Sequence, residues 1–389
     1  MNTTISAGTV VVDGQVHRPG WLQIADGMIH DVGPDSPPRP VDTALPDAIV
    51  VPGFVDMHCH GGGGASYPDA TASTTEQAAD FHRSHGTTTT LASLVSASPA
   101  DLLDATGVLG AATRAGHIAG IHLEGPWLSA ARCGAHDARQ LRNPDPVEID
   151  TLLAAADGTI RMVTLAPELP GALDAVDRFV QAGVVVAVGH TDAEYAQTRA
   201  AIDAGATVAT HLFNAMRPLH HRDPGPIAAL LEDPGVCVEL IADGVHLHPA
   251  VIRTVIAAAG PARVALVTDA MAAAGCGDGR YRLGECDVTV TDGIARVTGD
   301  DTIAGSTATM DAVFRAVVDH TAGHGRGATT GPAGDDAALL AAVQMTATTP
   351  ARALGLPGVG VLGAGARANL VVLDRDLRVS RVMVDGAWR

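Results

Sequence analysis

Apolar runs alternate with helical patterns along the middle of the chain. Eight runs are mostly continuous in apolar residues, as strands buried on both faces are: FVDMHCH (54–60), TTTTLASLV (87–95), HIAGIHLEGP (117–126), RMVTLAPE (161–168), GVVVAVGHT (183–191), ATVATHLFNAM (206–216), VCVELIADGVH (236–246) and RVALVTDAM (263–271). Ala-rich segments such as TTEQAADFHRSHG and DAEYAQTRAAIDAG separate them and have the pattern of helices. Eight successive strand–helix units predict an α/β protein with a (β/α)8 TIM-like barrel over residues 51–354.

Shorter strands are predicted at both ends of the chain. GTVVVDG, GWLQIADG and MIHDVG alternate in polarity and end at Asp-Gly or Gly turns, and ARANLVVLDRD and RVSRVMVDGAWR repeat the pattern near the C-terminus. We expect residues 1–50 and 355–389 to form one small β-sandwich domain. After the eighth run, YRLGECDVTVTDGIARVTGDD predicts a hairpin inserted near residues 280–300.

Polar side chains occupy the C-terminal ends of seven of the eight runs. They are His58, His60, Glu124, Glu168, His190, His211, Asp243, His246 and Asp269. In a parallel barrel these ends meet at one face, which is where such folds place their active sites. One buried histidine is explained as well by a hydrogen bond to the backbone, but so many polar groups at one crowded face would be desolvated without partners. The pattern therefore predicts a functional site at that face.

The stretch VPGFVDMHCHGGGG carries two of these histidines. Because strand side chains alternate between faces, His58 and His60 should point into the barrel with Asp56, and Cys59 should pack among the helices. Two imidazoles projecting together suit zinc or a similar divalent ion. The four glycines lack the pattern of a phosphate-binding loop, and we expect them to let the backbone turn tightly beside the metal.

Composition and charge exclude several classes of protein. A net charge of −18 argues against nucleic acid or an anionic membrane as a partner. We find no apolar run long enough for a transmembrane helix and no signal peptide at the N-terminus. Five cysteines without CxxC spacing suit reduced thiols in the cytoplasm. The sequence contains no lysine, so neither a Schiff base nor a lysine-derived metal ligand is available.

The motifs together resemble the amidohydrolase superfamily and, within it, the family of N-acetylglucosamine-6-phosphate deacetylases. They are PGFVDMHCHG, HLEGPWL, GAH, TLAPE, VGHTDA, THLFNAM, IADGVH, VTDAM, AGS and GARANLVVLD, and they run almost the length of the chain. The resemblance implies a cytoplasmic amide hydrolase of amino-sugar catabolism and recycling. Its reaction would be the metal-dependent conversion of N-acetylglucosamine 6-phosphate to glucosamine 6-phosphate and acetate.

The resemblance also implies a metal site. Glu124, His190 and His211 match the ligands of the principal metal, and His58 and His60 match the second site of the superfamily. Many relatives bridge two metals with a carboxylated lysine, which this chain lacks, and we expect Glu124 to take that place. Some deacetylases of the family work with one metal, but the intact HxH leads us to expect two divalent ions per chain. Zinc is the ion we expect first, and iron, manganese or cobalt also suit these ligands.

Other matches concern the sugar phosphate and the chemistry. The expected substrate-binding residues are His136, Asn214, Ala215, Arg222, His246, Ile303, Ala304 and Gly305. Arg222 matches a phosphate-binding arginine that the family supplies across a homodimer interface, so we expect it to reach the partner's site. Asp269 is expected to take the proton from the attacking water and deliver it to the leaving amine, and His136 to hydrogen-bond the developing oxyanion.

Alternatives stay open for the loop residues and for the function. Arg222 could cap a local turn, His246 could be a core histidine, and Ile303 to Gly305 could be only a hairpin end. A related amidohydrolase acting on a cyclic amide or a purine is one functional alternative, against which HLEGP, FNAM and the missing lysine count. The other is a catalytically inactive scaffold with a barrel fold, which would be expected to have lost metal ligands.

Overall fold

The computed structural model describes residues 2–321 and 332–389. The chain divides into two units. The first consists of Met1–Asp56, His82–Thr89 and Met310–Arg389, and the second of Met57–Phe81 and Thr90–Thr309. The predicted domain boundaries at residues 50 and 355 differ from this division and stay a prediction.

Both ends of the chain contribute to one eight-stranded sheet in the first unit. Its strands are Asn2–Val12, Gln15–His17, Gly20–Ala25, Met28–Pro34, Thr43–Pro52, Leu370–Leu373, Val379–Val384 and Ala387–Trp388. Val50 pairs in parallel with Val10 and antiparallel with Val372, which joins the two ends of the chain. The Asp-Gly pairs turn as predicted: Asp13 has φ of 44° and is followed by Gly14 at 76°.

A second sheet of eight strands has the order of a barrel. Its strands follow one another as in the sequence: Phe54–Asp56, Thr87–Leu94, Gly120–Glu124, Ile160–Leu165, Val185–Val188, Val208–Ala209, Cys237–Ile241 and Val264–Val267. They are parallel and nearly close a barrel, and they are buried along almost their whole length, as the continuous apolar runs predict. The predicted fold class is confirmed: a barrel-like α/β sheet and a separate sheet made by both termini.

Two of the strands end earlier than the apolar runs predict. The first run is a strand only over Phe54–Asp56, and the sixth only over Val208–Ala209. At Cys59 the main-chain N–H donates to the Ser93 hydroxyl at 3.0 Å rather than to a strand carbonyl. At His211 the backbone has a φ of 25°. In both cases the regular strand ends before the histidines, so these residues belong to the site and do not pair with the neighbouring strands.

Helices connect these strands and complete the chain. The α-helices are Ala72–Ser84, Pro99–Arg114, Pro146–Ala156, Ala172–Gln181, Tyr195–Asp203, Gly225–Glu232, Pro249–Ala259, Met310–Thr321, Pro332–Val343 and Thr349–Ala353, with a π-helix at Gln344–Thr348 and 3₁₀ turns at Tyr67–Asp69, Ala130–Arg132 and Pro261–Arg263. Two of them begin with a side chain that caps the first turn. Ser98 and Asp145 each precede a proline, and their side chains accept from the main-chain N–H groups of Asp101 and Val147.

Two smaller sheets lie in the second unit. Gly279–Leu283, Cys286–Thr291 and Ile294–Val297 form three antiparallel strands in the region of the expected hairpin. Gly61–Gly62 pairs with Ala65–Ser66 directly after the HxH motif. Across the described residues, no helix has the length and apolar character required to span a membrane.

Candidate active site

Six predicted residues form two groups of potential metal ligands in the second unit. The ligand atoms of His58, His60 and Asp269 lie within 4.8 Å of one another, and so do those of Glu124, His190 and His211. All six residues are buried.

Glu124 joins the two groups. Its Oε1 is 3.0 Å from Nε2 of both His190 and His211, and its Oε2 is 3.1 Å from Nε2 of His60. Oε1 also lies 3.4 Å from Nε2 of His58, so the carboxylate contacts both groups, as a bridging ligand requires.

The orientation of the imidazoles fits a cation. Nδ1 of His190 lies 2.9 Å from the Arg132 carbonyl, and Nδ1 of His60 lies 3.1 Å from the Ser93 carbonyl. Because a carbonyl can only accept, Nδ1 carries a proton in each ring, and Nε2 is the nitrogen that offers its lone pair to the centre once it is deprotonated. There Nε2 of His190 is 3.1 Å from Nε2 of His211, and Nε2 of His60 is 3.2 Å from Nε2 of His58. Nitrogens this close share either a proton or a metal ion, and this nitrogen and oxygen donor set suits a divalent transition metal.

The metal-free site is strongly coupled electrostatically. Burial lowers the pKa of His60, but hydrogen bonds to Asp269 and Glu124 outweigh it and raise the pKa to about 9. Burial raises the pKa of Glu124, but His58 and His190 hold it well below its usual range. Burial also raises the pKa of Asp269, but the nearby His58 and His60 lower it further than burial raises it. Both carboxylates are therefore ionised at neutral pH, and protons compete with a metal for the histidines.

The glycines after the HxH motif make a tight turn. Gly63 and Gly64 have φ of 61° and 83°, a region that glycine enters without steric cost. A Cβ on Gly61 would lie 2.3 Å from the Ala65 carbonyl oxygen. This geometry agrees with the expectation of a close backbone turn beside the ligands.

A cavity of about 500 Å³ opens above the two ligand groups. The predicted residues that line it are His60, Glu124, His136, His190, His211, Asn214, Ala215, His246, Asp269, Ile303 and Gly305. Two predicted substrate residues do not line it. Ala304 is fully buried in the hydrophobic cluster of the three-stranded sheet, and Arg222 is exposed, with Nη1 2.7 Å from Nε2 of His221.

His136 is held as a neutral hydrogen-bond donor. The Ser96 main-chain N–H donates to its Nδ1 at 3.1 Å, which leaves the ring proton on Nε2. That Nε2 lies 3.3 Å from Oε2 of Glu124. Burial lowers the pKa of His136 to about 4 despite Glu124. The ring therefore presents an N–H to the ligand centre at neutral pH.

His246 lies on the cavity wall with its ring paired to a carboxylate. Its Nδ1 lies 2.7 Å from Oδ2 of Asp243, and Oδ1 of Asp243 accepts from the main-chain N–H groups of Val245 and His246 at 2.9 Å each. Burial lowers the pKa of His246, but the hydrogen bond to Asp243 outweighs it and the pKa is raised. Positive charge at this position suits an anionic substrate.

Sequence reasoning missed the role of the loop around Arg132, which also lines the cavity. Its Nε and Nη2 contact Oδ1 of Asp192 at 2.9 and 2.7 Å, while its carbonyl orients His190. The Glu168 carboxylate in turn accepts from the Thr191 hydroxyl and the Asp192 N–H, each at 2.6 Å. Glu168 and Asp192 belong to the motifs TLAPE and VGHTDA. The position of Glu168 at a strand end was the feature of the sequence that could have indicated these contacts.

Comparison with known proteins gives concordant matches. The chain matches the Amidohydrolase family over residues 49–389. It is 37% identical over 378 residues to the N-acetylgalactosamine-6-phosphate deacetylase of Escherichia coli O157:H7, covering 94% of this chain and 95% of that protein. It is 34% identical over 386 residues to the N-acetylglucosamine-6-phosphate deacetylase of Bacillus subtilis (strain 168), covering 95% and 92%.

A solved structure matches over the whole chain. It is a mutant of the N-acetyl-D-glucosamine-6-phosphate deacetylase of Mycobacterium smegmatis in complex with N-acetyl-D-glucosamine-6-phosphate, with a TM-score of 0.95, 55% identity, and coverage of 100% of this chain and 99% of that one. The chain thus belongs to the amidohydrolase family, and its predicted resemblance to N-acetylglucosamine-6-phosphate deacetylases is confirmed.

Proposed function

We propose that this protein hydrolyses the acetamido group of N-acetylglucosamine 6-phosphate, giving glucosamine 6-phosphate and acetate. The observation that carries the proposal is the arrangement at the base of the cavity. Glu124 faces two groups of ligands there, beside an ionised carboxylate, Asp269, and a neutral donor, His136. These are the parts that amide hydrolysis requires: a centre for activating water, a proton acceptor and an oxyanion donor.

The residues of the chain divide the chemistry among them. A divalent ion bound by the ligand groups would lower the pKa of a coordinated water and polarise the acetyl carbonyl. Asp269 takes the proton of the attacking water and then passes it to the leaving amine. The Nε2–H of His136 donates to the oxygen that becomes negative in the tetrahedral state.

We propose two ions per chain, with Glu124 between them. His58, His60 and Asp269 surround one position, and His190 and His211 the other. Elemental analysis of protein purified without chelator should give about two ions per chain, falling towards one in His58→Asn and His60→Asn, with a clear loss of kcat. One ion in every form, with unchanged activity, would remove the HxH motif from the mechanism.

The substrate phosphate is assigned to two cations. His246 lies on the cavity wall of the same chain, and we propose that Arg222 comes from the partner of a homodimer. Arg222 is exposed and does not line the cavity of its own chain, which leaves it available to another subunit. A cytoplasmic location goes with a phosphorylated substrate and is part of this proposal.

The configuration of the sugar at C4 is the open part of the substrate assignment, because one relative is named for the galactosamine epimer. A steady-state comparison of N-acetylglucosamine 6-phosphate, N-acetylgalactosamine 6-phosphate and unphosphorylated N-acetylglucosamine tests the proposal. We expect the highest kcat/KM for the first and the lowest for the last. A preference for a hydantoin over all three sugars would point to a cyclic amidohydrolase, and no turnover by the metal-loaded protein would point to a scaffold.

A further inference from the structure

Glu239 is a buried acid that the proposed mechanism does not use. It lies in the middle of the strand Cys237–Ile241, within the run VCVELIADGVH, and its side chain is fully buried. Burying a carboxylate at such a depth costs free energy of folding unless hydrogen bonds compensate for it. One carboxylate oxygen of Glu239, Oε1, has no hydrogen-bond partner among the described residues. An apolar side chain would serve the stability of the strand better, so the acid calls for another explanation.

The contacts of Oε2 supply one. Oε2 lies 3.2 Å from Nδ1 of His58 and accepts from the main-chain N–H of His211 at 3.1 Å. The main-chain carbonyl of Glu239 also accepts from the N–H of Leu212 at 2.9 Å. One residue thus holds a side chain of the first ligand group and the backbone turn that presents a ligand of the second.

The two contacts have different chemical consequences. A carboxylate can only accept, so Nδ1 of His58 carries a proton, and Nε2, which lies close to His60 and Glu124, is the nitrogen left to bind a metal. The corresponding acceptors for His60 and His190 are neutral carbonyls. A charged acceptor makes the imidazole a stronger ligand than a carbonyl does. At His211, the bond fixes a backbone with a φ of 25°, which needs support from outside the turn.

We propose that Glu239 is a positioning residue that keeps the two ligand groups facing Glu124, chiefly through His58. This inference rests on the metal sites proposed above and not on the identity of the substrate. Removing an acceptor of this kind typically weakens metal binding about 10–100-fold. Metal affinity should fall mainly at the position of His58 and His60, because the His58 ring loses the acceptor that orients it. It should fall less at the position of His211, because Glu239 contacts only the main chain of that residue.

The test measures metal affinity and not turnover. The full chain is stripped with a chelator and titrated with zinc against a competing indicator, as parent, Glu239→Gln and Glu239→Ala. Glu148→Gln is the matched control, since Glu148 is a largely buried acid that pairs with Arg142 away from the site. We expect one of the two zinc affinities to fall about 10–100-fold in Glu239→Gln, and further in Glu239→Ala, while the other falls less and both stay unchanged in the control.

A second measurement separates positioning from a merely structural role. The thermal midpoint is recorded for each metal-free variant and again at saturating zinc. If Glu239 only stabilises the strand, both midpoints fall together, and both zinc affinities stay within about twofold of the parent; that result overturns the inference. Should Glu239→Ala not fold, the isosteric Gln variant decides alone. A parent chain that binds no zinc at all would instead overturn the proposed function.

Discussion

Replacing Asp269 with asparagine tests the proposed proton transfer most directly. Asp269 is 7% exposed, and its Oδ1 lies 3.2 Å from Nε2 of His60 and 3.4 Å from Nε2 of His58. Asparagine keeps the shape of the side chain. It cannot accept a proton, which the ionised carboxylate can.

The size of the effect follows from the role. General acid–base catalysis contributes typically about 10²–10⁴-fold. Each tenfold step corresponds to about 1.4 kcal/mol of activation free energy, so the loss should be about 2.7–5.4 kcal/mol. Because Asp269 serves both the attack and the departure of the amine, we expect the loss in kcat and only a small change in KM.

The assay is steady-state deacetylation of N-acetylglucosamine 6-phosphate at saturating metal. Asp311→Asn is the control, because Asp311 is equally buried, at 7% exposure, and pairs with Arg315 in the first unit. Metal content is measured alongside, since Asp269 also belongs to a ligand group. A variant that keeps its metal and turns over within a few-fold of the parent would refute the assignment of Asp269 as proton acceptor.

Two further predictions concern the substrate phosphate and the charged pair on the cavity wall. Arg222→Ala should lower kcat/KM for the phosphorylated sugar by about 10–150-fold, the worth of a charge-assisted hydrogen bond, and hardly change it for the unphosphorylated sugar. Mixing Arg222→Ala with Asp269→Asn should restore activity through hybrid dimers, and no rescue despite proven subunit exchange would contradict sharing between subunits. In the folded protein the pKa of His246 is raised and that of Asp243 is lowered. Their pairing therefore stabilises the fold most between about pH 4 and 6.5, the pKa values of the two groups in the unfolded chain. The stabilisation is lost as the pH rises through the folded pKa of His246 or falls through that of Asp243. The thermal midpoint of Asp243→Asn should therefore lie furthest below that of the parent near about pH 5.5 and approach it as the pH rises through the folded pKa of His246. A difference independent of pH would show that Asp269 and the backbone hold His246 instead.

The site could be predicted from the sequence to the extent that it depends on strand ends. The order of eight apolar runs predicts a barrel, and a barrel brings the ends of its parallel strands to one face. That step alone predicts that Glu124, His190 and His211 meet, although 87 residues separate the first from the last. Periodicity also gave the direction of His58 and His60, even though the regular strand ends before them.

The contributions of loops could not be predicted in the same way. Arg132 lies in a loop whose path depends on an ion pair with Asp192, and no periodic pattern records such a pair. Ala304 shares a motif with Ile303 and Gly305, yet only those two line the cavity, because the Ala304 side chain packs in the hydrophobic cluster of the three-stranded sheet and the backbone turns at Gly305 with a φ of 62°. A motif specifies residue types, and the direction of each side chain depends on local backbone geometry.

The backbone at the ends of the strands explains why this geometry is so dependent on distant residues. His190, His211 and Asp269 all have positive φ, at 46°, 25° and 47°, a conformation that costs on the order of 1–3 kcal/mol for residues other than glycine. A segment remote in the sequence supports each of them. The carbonyls of His190 and Asp269 accept from main-chain N–H groups at 2.9 and 2.7 Å, and the N–H of His211 donates to the side chain of Glu239. Because the strained turns aim the imidazoles and the carboxylate at one centre, the supports are as necessary as the ligands. A residue can support such a turn from any part of the sequence, provided that it offers a hydrogen bond to the turn. Glu239 therefore contacts both ligand groups although it lies outside the ligand motifs.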